Sequence, residues 1–520
     1  MKIATVDIET DDLLPEVTKV WCAVVKDMSD GKITRFTPGN INSLGSFLNT
    51  FGTLRGHNII SFDLAVLKKL WGYEYHGEIE DTLLMSRLQR PDRRTPSHCK
   101  GSGPHSVKAW GTRLGHKKID HEEWATYSPE MLHRCEEDVE IQCKIYDALI
   151  EEGSGEGWEK AHKLNNKLFT LLQKQAEYGF LVDRSLMDSS IKQLTNWIKR
   201  IDHACLPHLP IIRQIEETKK GEEYSYVKKP FLKSGELSNI SKKWLREAGL
   251  QEVIVGPFSR VSFRRVNLDS NLETKNFFLS LGWKPEQWNT NNAGQRTSPK
   301  LSKDDEFQGI KGGLGKLVVK RFQCKQRASV IHGWKGSIRS DGRIPAIVSG
   351  LAATGRARHK GIVNVPGEGA FYGKIMRRMF IAKPGWVLVG TDSVGNQVRQ
   401  LAARMGDPEF SSAVLDPSKD VHTETQNRCG LSSRHIAKTF FYGLIFGSGN
   451  EKAGRIVGGS AEDGRRLKEN VFRGIPALRE CIERLTNDWR KSARKWYNKK
   501  YRRMEWKDGY IRGLMAGHFG

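Results

Sequence analysis

The stretch IATVDIE, residues 3–9, decides the fold of the first part of the chain. Its apolar and β-branched residues predict a strand. Residues two apart on a strand face the same side, so Asp7 and Glu9 present two carboxylates together. Alternating strand and helix patterns continue to about residue 150. The sequence therefore predicts an α/β domain in this region.

Two further acids lie in segments that are predicted to be helical. GHNIISFDLAVLKKL, residues 56–70, predicts a short strand entering a helix, with Ser61 as N-cap and Asp63 in the first turn. Ser128 and Pro129 are a good N-cap and first-position pair for a later helix, which carries Asp138. The sequence thus supplies a third and a fourth acid for the same domain.

Four acids packed together need cations, because their mutual repulsion would otherwise raise their pKa values or unfold the site. Carboxylate oxygens suit Mg²⁺, with Mn²⁺ as the alternative ion. Two such ions about 3.5–4 Å apart can activate a water molecule and steady the leaving oxygen of a phosphodiester. Each acid taken alone is equally consistent with a solvated surface residue. Order and context decide between these interpretations.

In order and context, five segments resemble the proofreading 3′–5′ exonuclease of family A DNA polymerases. The segments are DIET (7–10), GHNIISFD (56–63), DTLLMSRL (81–88), AWGTRLG (109–115) and the helix of Asp138. The resemblance covers about residues 1–150 and implies a ribonuclease H-like exonuclease domain over residues 1–152. It also implies that two metal ions are held by the catalytic acids Asp7, Glu9, Asp63 and Asp138.

The chain departs from this family beside the last acid. The family usually carries a tyrosine four residues before it, where this chain has Arg134. His133, five residues before Asp138, matches the spacing of the histidine branch of the same nuclease superfamily, and histidine can accept a proton near neutral pH. On an unbroken helix, however, Arg134 shares the face of Asp138 and His133 points elsewhere. His133 is therefore either the general base or a surface residue.

A second candidate site lies in GWVLVGTDSVGNQVRQ, residues 385–400. The apolar residues Val387–Val389 predict a strand before Asp392. The segment resembles the family A palm motif, which implies that Asp392 and the carbonyl of Ser393 bind metal ions and that Arg399 contacts DNA. Gln397 stands where the family has a glutamate that screens out the ribose 2′-hydroxyl, so its amide is expected to crowd the sugar without the charge.

The segment SRHIAKTFFYGLIFGSG, residues 433–449, carries a basic stripe. Arg434, Lys438 and Tyr442 are spaced by four and fall on one helix face. Two cations on one face can grip a triphosphate, and Tyr442 with Gly443 can offer a stacking surface to a base. The alternative is a solvated basic stripe, against which the aromatic run at 440–442 argues. The segment resembles the fingers helix of family A polymerases.

Two shorter segments extend this resemblance. His422 fits a family histidine near the triphosphate. ATGRARHKGIVNVPG, residues 353–367, resembles the segment that contacts the primer-template, which implies DNA contacts for Arg356 and Asn364.

The charge balance indicates a polyanionic partner. The 84 Lys and Arg residues against 60 Asp and Glu residues give a formal net charge of +24. Residues 487–512 combine basic and aromatic side chains, which suits phosphate contact with base stacking. A solvated amphipathic helix is the alternative there, and the overall charge favours nucleic acid. No apolar run approaches the roughly 18 residues that cross a bilayer, so no membrane partner is expected.

The rest of the chain follows the order of a family A polymerase. We predict a helical thumb over residues 158–340, the first part of the palm over 341–420 and the fingers over 421–520. The polar segment 207–265 lies near the place where some phage relatives recruit a processivity factor. A second catalytic palm segment, a His-Asp-Glu turn, is expected after the basic region and is not found. The palm is therefore expected to be completed by a second polypeptide, as in a split polymerase, unless an interrupted gene has shortened the chain.

These features together predict template-directed DNA synthesis with proofreading, for phage DNA replication in the cytoplasm of an infected bacterium. Primer-template DNA and deoxynucleoside triphosphates (dNTPs) are the expected substrates. A 3′–5′ exonuclease working alone is the second hypothesis. A non-catalytic DNA-binding replication factor is the third, and the intact set of carboxylates argues against it.

Overall fold

The computed structural model describes most of the chain up to Lys500. The described residues are 2–91, 93–97, 99, 101–154, 157–215, 226–227, 229–247, 249, 254–259, 261–285, 287–291, 295–302, 307–352, 356–393, 395–416, 418–420, 422–423, 426–427 and 430–500, the last twelve by their backbone alone. The chain divides into two compact units. The first comprises Met1–Gly179, Pro345–Lys360 and Val387–Gly520, and the second comprises Phe180–Ile344 and Gly361–Trp386.

The described residues form strands and helices in both units. The strands are β1 (Ile3–Thr10), β2 (Val20–Asp27), β3 (Ile33–Phe36), β4 (Thr53–Gly56), β5 (Glu78–Asp81), β6 (Phe180–Leu181), β7 (Ile211–Ile215), β8 (Tyr226–Val227), β9 (Phe258–Ser259), β10 (Val261–Arg265), β11 (Trp288–Thr290), β12 (Arg296–Pro299), β13 (Arg343–Ile344), β14 (Ala346–Leu351) and β15 (Ala357–Gly361). The helices are α1 (Leu44–Leu48), α2 (Asp63–Trp71), α3 (Thr82–Gln89), α4 (Val107–Leu114), α5 (Pro129–Glu152), α6 (Glu159–Tyr178), α7 (Arg184–Cys205), α8 (Asn239–Glu247), α9 (Asn271–Ser280), α10 (Gly313–Gly336), α11 (Gly373–Arg378), α12 (Asn396–Met405), α13 (Pro408–Leu415), α14 (Arg434–Ile445), α15 (Asn450–Ile456), α16 (Ala461–Gly474) and α17 (Pro476–Lys500). None of these described helices is both long and apolar enough to cross a membrane.

A five-stranded mixed sheet organises the N-terminal part of the first unit. Its strand order is β3-β2-β1-β4-β5, with β1 antiparallel to β2 and parallel to β4, and β4 parallel to β5. Strand β1 pairs with β4 only over residues 3–5, so Asp7 and Glu9 lie where β1 extends past β4. The sheet agrees with the predicted α/β domain, and the carboxyl ends of its three parallel strands meet at one edge.

The two predicted helices that carry acids are present, with one correction. Asp63 is the first residue of α2, as expected, but the N-cap is Phe62 and no side chain caps the helix. Ser61 is therefore not the cap. Its backbone belongs to a turn that starts at Asn58, and the buried carboxylate of Asp81 accepts the N–H groups of Asn58 and Ile60. Asp81 thus holds the turn that precedes α2, while the first turn of α2 itself has no side-chain cap.

Helix α5 begins as predicted. The Ser128 side chain accepts the N–H of Met131, and Pro129 occupies the first helical position. Met131, Cys135 and Val139 are fully buried and pack on β2, while Ile141 and Ile145 face a second apolar cluster with α3 and α4. This packing fixes the rotation of α5, and with it the direction of Asp138.

From His422 onward the described residues of the first unit are mostly helical, as predicted, with short non-helical links between the helices. Helices α12, α14, α15 and α16 share one apolar core, in which Phe440 and Phe441 are almost completely buried. The aromatic run of α14 is therefore core, apart from half-buried Tyr442. The basic and aromatic side chains predicted to bind nucleic acid at 489–512 lie outside the described residues.

The predicted strand before Asp392 is wrong. Residues 387–393 have no regular structure, and Val387 and Val389 are 79% and 82% exposed. An isolated strand is not stable without a neighbouring strand to pair its backbone. Among the described residues, no other strand pairs with this segment.

The second unit contains two long helices of the predicted thumb, α7 and α10, whose shared core includes Met187, Leu194 and Ile331. The helix predicted from Leu314 is α10, which extends to Gly336. The helical pattern at 158–205 is interrupted at Gly179, where φ is 64°, a left-handed value that favours glycine. As a result α6 belongs to the first unit, so the unit boundary does not coincide with the predicted start of the thumb.

Candidate metal and phosphate sites

Three of the four predicted acids meet at the carboxyl edge of the sheet. Carboxylate oxygens of Asp7, Glu9 and Asp138 all lie within 4.8 Å of one another. Asp63 lies next to them, since its Oδ1 accepts the N–H of Ile8, between the two acids of β1, at 3.2 Å. Strand β1 supplies two carboxylates, and helices α2 and α5 supply one each. The fold therefore brings together four acids whose first and last members, Asp7 and Asp138, are 131 positions apart in the sequence.

A buried amide orients the first acid. Gln142 is fully buried, and its Nε2 donates to Asp7 Oδ1 at 2.6 Å. Its Oε1 accepts the N–H of His57 at 3.1 Å. Gln142 therefore fixes the Asp7 carboxylate and ties it to the loop that leads into α2.

Two cations contact the carboxylates directly. Lys118 forms an ion pair with Asp138. Arg134 Nη1 donates to Glu9 Oε1 at 2.7 Å, and its Nη2 lies 3.8 Å from Asp138 Oδ2. Arg134 thus occupies the face of α5 that the sequence predicted, and part of the negative charge of the cluster is offset by protein groups.

The remaining repulsion shows in the pKa values. Burial, followed by the charge of Asp138, raises the pKa of Asp7 to about 7. Burial, followed by the charge of Asp7, raises the pKa of Glu9 to about 8. The same two causes raise the pKa of Asp63 well above its usual range. The cluster is therefore under electrostatic strain unless protons or cations bind to it.

The donor set fits hard divalent cations. The converging ligands are all carboxylate oxygens, the type that Mg²⁺ and Mn²⁺ prefer. Asp138 Oδ1 is buried and has no hydrogen-bond partner among the described residues. A buried carboxylate oxygen without a partner is costly, and a bound cation would remove that cost.

We expect Mg²⁺ to stabilise this protein more at about pH 8 than at about pH 6. The folded state binds protons at Asp7 and Glu9 up to pKa values of about 7 and about 8, while the unfolded chain releases them near 4. The metal-free protein therefore loses stability as the pH rises between these values. A divalent ion replaces these protons, so the increase in the thermal unfolding midpoint over an EDTA sample should grow with pH. An increase that is equal or smaller at about pH 8 contradicts this expectation.

The structure does not bring His133 to the cluster. Its side chain is exposed, and it forms no hydrogen bond or ion pair within the described part of the chain. Arg134 takes the position beside the acids instead. The role of His133 as general base thus receives no support from the geometry.

We therefore expect His133→Ala to leave excision of 3′ nucleotides within about twofold of the parental rate, as is usual for an exposed side chain. Arg134→Ala should lower it about tenfold or more, in the range seen when residues that orient metal ligands are removed. Both rates come from the shortening of a 5′-labelled single strand. Loss of excision in the His133 variant, with its thermal midpoint unchanged, would restore His133 as the base.

A basic groove of about 560 Å³ adjoins the acids. Its walls include Arg87, Lys108, Lys118 and Arg134. His57 also lines it, and its Nδ1 lies 2.9 Å from Thr82 Oγ1, which itself donates to the carbonyl of Gly56. The Nε2 of His57 is buried and has no hydrogen-bond partner among the described residues. The cationic side chains of the groove attract an anionic chain, and His57 Nε2 is available for a hydrogen bond with it.

Sequence reasoning missed three of these residues. Gln142 follows Asp138 by four on the same helix, so helical spacing could have found it. Lys118 lies in the loop between α4 and α5, and no spacing rule connects it with Asp138. His57 lies in the segment GHNIISFD, but the sequence does not show that its Nε2 is buried without a partner among the described residues.

The residues predicted to bind a triphosphate and a base lie on α14. Arg434 begins the helix and Lys438 follows one turn later, and both side chains are exposed. Arg434 Nη2 lies 2.5 Å from Asp420 Oδ2, and this ion pair lowers the pKa of Asp420. Half-buried Tyr442 and Gly443 end the same stripe. The predicted face therefore exists, with one of its two cations already paired.

The structure also brings His422 to this stripe. Its ring centroid lies 5.5 Å from that of Tyr442, and its Nδ1 is buried without a partner among the described residues. Burial lowers the pKa of His422. A neutral imidazole beside the tyrosine fits the predicted histidine near the triphosphate.

The other predicted residues lie apart from these contacts. Asp392 and Ser393 are exposed in the irregular segment, and Gln397 and Arg399 lie in the first turn of α12. The described residues include no second acid that contacts Asp392. The structure thus provides no assembled metal site around Asp392.

Arg356 and Asn364 are both exposed. The Arg356 guanidinium lies 5.5 Å from the ring centroid of Phe446. Asn364 has a φ of 50°, an uncommon value outside glycine. Neither side chain is held in a buried contact, so both are accessible to a ligand.

Comparison with known proteins gives a consistent result. Residues 261–507 match the model of DNA polymerase family A. The DNA-directed DNA polymerase of Enterobacteria phage T3 is 26% identical over 98% of this chain and 84% of its own length. That of Escherichia phage T7 is 25% identical with the same coverage. The solved POL domain of Pol1 from M. smegmatis, in complex with DNA primer-template and dNTP, matches all of this chain and 81% of its own, with a TM-score of 0.67 and 15% identity. This likeness shows a shared fold. The chain is similar to family A DNA polymerases in residues 261–507 and to the two phage polymerases over 98% of its length.

Proposed function

We propose that this chain is a DNA-directed DNA polymerase whose N-terminal domain removes nucleotides from DNA 3′ ends. The observation that carries the nuclease part is the convergence of Asp7, Glu9 and Asp138 within 4.8 Å, with Asp63 beside them. The polymerase part is supported by the family match and by the exposed cationic face of α14.

In the nuclease site, Asp7, Glu9, Asp63 and Asp138 would hold two divalent ions, Mg²⁺ or Mn²⁺. Such ions activate a water molecule and stabilise the leaving 3′ oxygen. Gln142 keeps Asp7 in its binding orientation. The groove cations Arg87 and Lys108 attract the DNA backbone, and His57 Nε2 accepts a hydrogen bond from a donor on the terminal nucleotide.

In the polymerase site, Lys438 and Arg434 bind the triphosphate of the incoming dNTP. Arg434 must exchange Asp420 for phosphate oxygens, which is favourable because a triphosphate carries more charge than one carboxylate. Tyr442 offers its ring to the base, and His422 supports that ring. Asp392 and Ser393 would contribute metal ligands, Gln397 would crowd the sugar, and Arg356, Asn364 and Arg399 would contact primer-template DNA.

A 5′-labelled primer on a longer template tests both activities in one reaction. With Mg²⁺ and dNTPs the primer should lengthen, with Mg²⁺ alone it should shorten, and with EDTA it should stay unchanged. Failure to change the primer under any of these conditions overturns the proposal.

Shortening without lengthening would support a nuclease that works alone, a second candidate favoured by the exposed position of Asp392. A second polypeptide that completes the palm remains a prediction from the sequence. Lengthening that appears only after a polypeptide with a His-Asp-Glu segment is added would confirm it. Recruitment of a processivity factor near residues 207–265, and replication inside an infected bacterium, likewise remain predictions.

A further inference from the structure

A second cavity, of about 1160 Å³, lies in the first unit away from the carboxylates. It is enclosed by β5, the C-terminal ends of α3 and α5, and α6. None of its wall residues lines the groove beside the acids. Its volume is slightly above the range of roughly 300–1,000 Å³ that is usual for ligand sites. Neither proposed activity uses it.

Three polar atoms in its wall are buried and lack hydrogen-bond partners among the described residues. These atoms are Gln89 Oε1, His162 Nε2 and Asn166 Oδ1. Gln89 Nε2 donates to the carbonyl of Leu149 at 3.0 Å, and Asn166 Nδ2 donates to the carbonyl of Ile79 at 2.9 Å. Carbonyl groups cannot donate, so both amide orientations are fixed and both amide oxygens are acceptors. Leaving such acceptors unpaired is costly, and a ligand with N–H donors would pair them.

The unpaired atoms belong to one continuous wall. A Cβ atom on Gly153 would lie 2.6 Å from Gln89 Nε2 and 2.8 Å from Trp158 Cδ1, so Gly153 lets these two side chains approach. The Trp158 ring stacks on His162, with centroids 6.0 Å apart and planes 14° apart. Asn166 follows His162 by one helical turn. The wall therefore presents flat rings next to hydrogen-bond acceptors.

Charge differs between the inside of the cavity and its rim. His162 and Asn166 are more than nine-tenths buried. The next residues along α6, Lys163 and Lys167, also line the cavity and are exposed. Lys163 lies 3.4 Å from Glu159, whereas Lys167 forms no ion pair among the described residues. Three glutamates also line the cavity: Glu159 is paired with Lys163, Glu80 is paired with Arg55, and Glu78 is exposed. The ammonium group of Lys167, which has no ion pair among the described residues, suits the anionic end of a ligand whose other end carries hydrogen-bond donors.

We propose that this cavity binds a nucleotide whose base carries an amino group. The base packs against the Trp158–His162 wall and donates to Gln89 Oε1 and Asn166 Oδ1, and the phosphate lies near Lys163 and Lys167. Stacking on aromatic rings is favourable for any flat base, while the fixed acceptors select bases with N–H groups on the edge. An aliphatic amine would neither stack on the rings nor pair with the rim lysines. A simple anion inside the cavity would be repelled by the buried acceptor atoms.

Binding of dAMP to the full chain tests this proposal by isothermal titration calorimetry in EDTA, which keeps metal ions out of the carboxylate site. We expect one saturable site. Gln89→Met keeps the length of the side chain and removes Oε1, and should weaken binding about tenfold, as expected for a lost buried hydrogen bond. Lys167→Ala should weaken it about threefold or more, as expected for a lost rim charge. Lys174→Ala, an exposed lysine on the same helix outside the cavity wall, should have no effect.

Deoxyribose 5-phosphate, which lacks the base, should bind far more weakly than dAMP. Absence of saturable dAMP binding at millimolar concentration overturns the proposal. So does equal affinity of deoxyribose 5-phosphate, or parental affinity in both the Gln89 and the Lys167 variant. Asp7→Asn provides the last comparison, because a loss of dAMP binding in that variant would place the nucleotide at the carboxylates and overturn the proposal as well.

Discussion

Asp7→Asn should reduce excision of 3′ nucleotides at least about 10³-fold, comparable to losses seen when an enzyme loses a central catalytic group. Asp7 is the most connected acid of the cluster, since its charge raises the pKa values of both Glu9 and Asp63. Its carboxylate is half-buried next to Asp138. An asparagine keeps the shape and can still accept from Gln142, but it removes the negative charge that a divalent ion needs.

The same substitution should not unfold the protein. In EDTA at about pH 8 the variant should melt at or above the parental temperature, because it removes one buried charge from a repelling set. Asp12→Asn, an exposed acid beyond the end of β1, is the matched control and should excise at the parental rate. Excision by the Asp7 variant within tenfold of the parental rate would contradict the metal role of the cluster. A quench-flow or gel measurement on labelled single-stranded DNA gives the rates.

Local rules predicted the elements that carry the acids. The apolar and β-branched residues of 3–9 predicted β1, and the Ser128–Pro129 pair predicted the start of α5, because both depend on residues a few positions apart. The spacing of four also placed Arg134 on the face of Asp138. These are the features that the backbone geometry of one strand or one helix fixes by itself.

The features that were missed depend on distant partners. Ser61 does not cap α2: it lies in a turn that Asp81, twenty residues later, holds through the N–H groups of Asn58 and Ile60. The segment 387–389 has the composition of a strand, but a strand needs a neighbour, and the described residues supply none. Lys118 reaches Asp138 only through the path of a loop. Sequence patterns therefore predicted the positions of the acids better than the groups that surround them.

The second large effect is expected at the fingers helix. Lys438→Ala should lower the rate of nucleotide incorporation about 100-fold, in the range found when one group that stabilises developing charge is removed. Lys438 is exposed, follows Arg434 by one turn, and forms no ion pair in the described part of the chain. Its ammonium group is therefore available to a triphosphate without first breaking a protein contact, whereas Arg434 must leave Asp420.

The measurement is single-nucleotide incorporation into a primer-template, together with equilibrium binding of labelled dNTP to the protein–DNA complex, which does not require turnover. Both should weaken in the Lys438 variant, while excision, which depends on the distant carboxylates, stays unchanged. Lys452→Ala, an exposed lysine on α15, is the matched control because it removes the same charge from the next helix. Equal losses in the two lysine variants would mean that general positive charge attracts the nucleotide. A loss confined to Lys438 requires a phosphate held at that position of α14, because the net charge of both variants is the same.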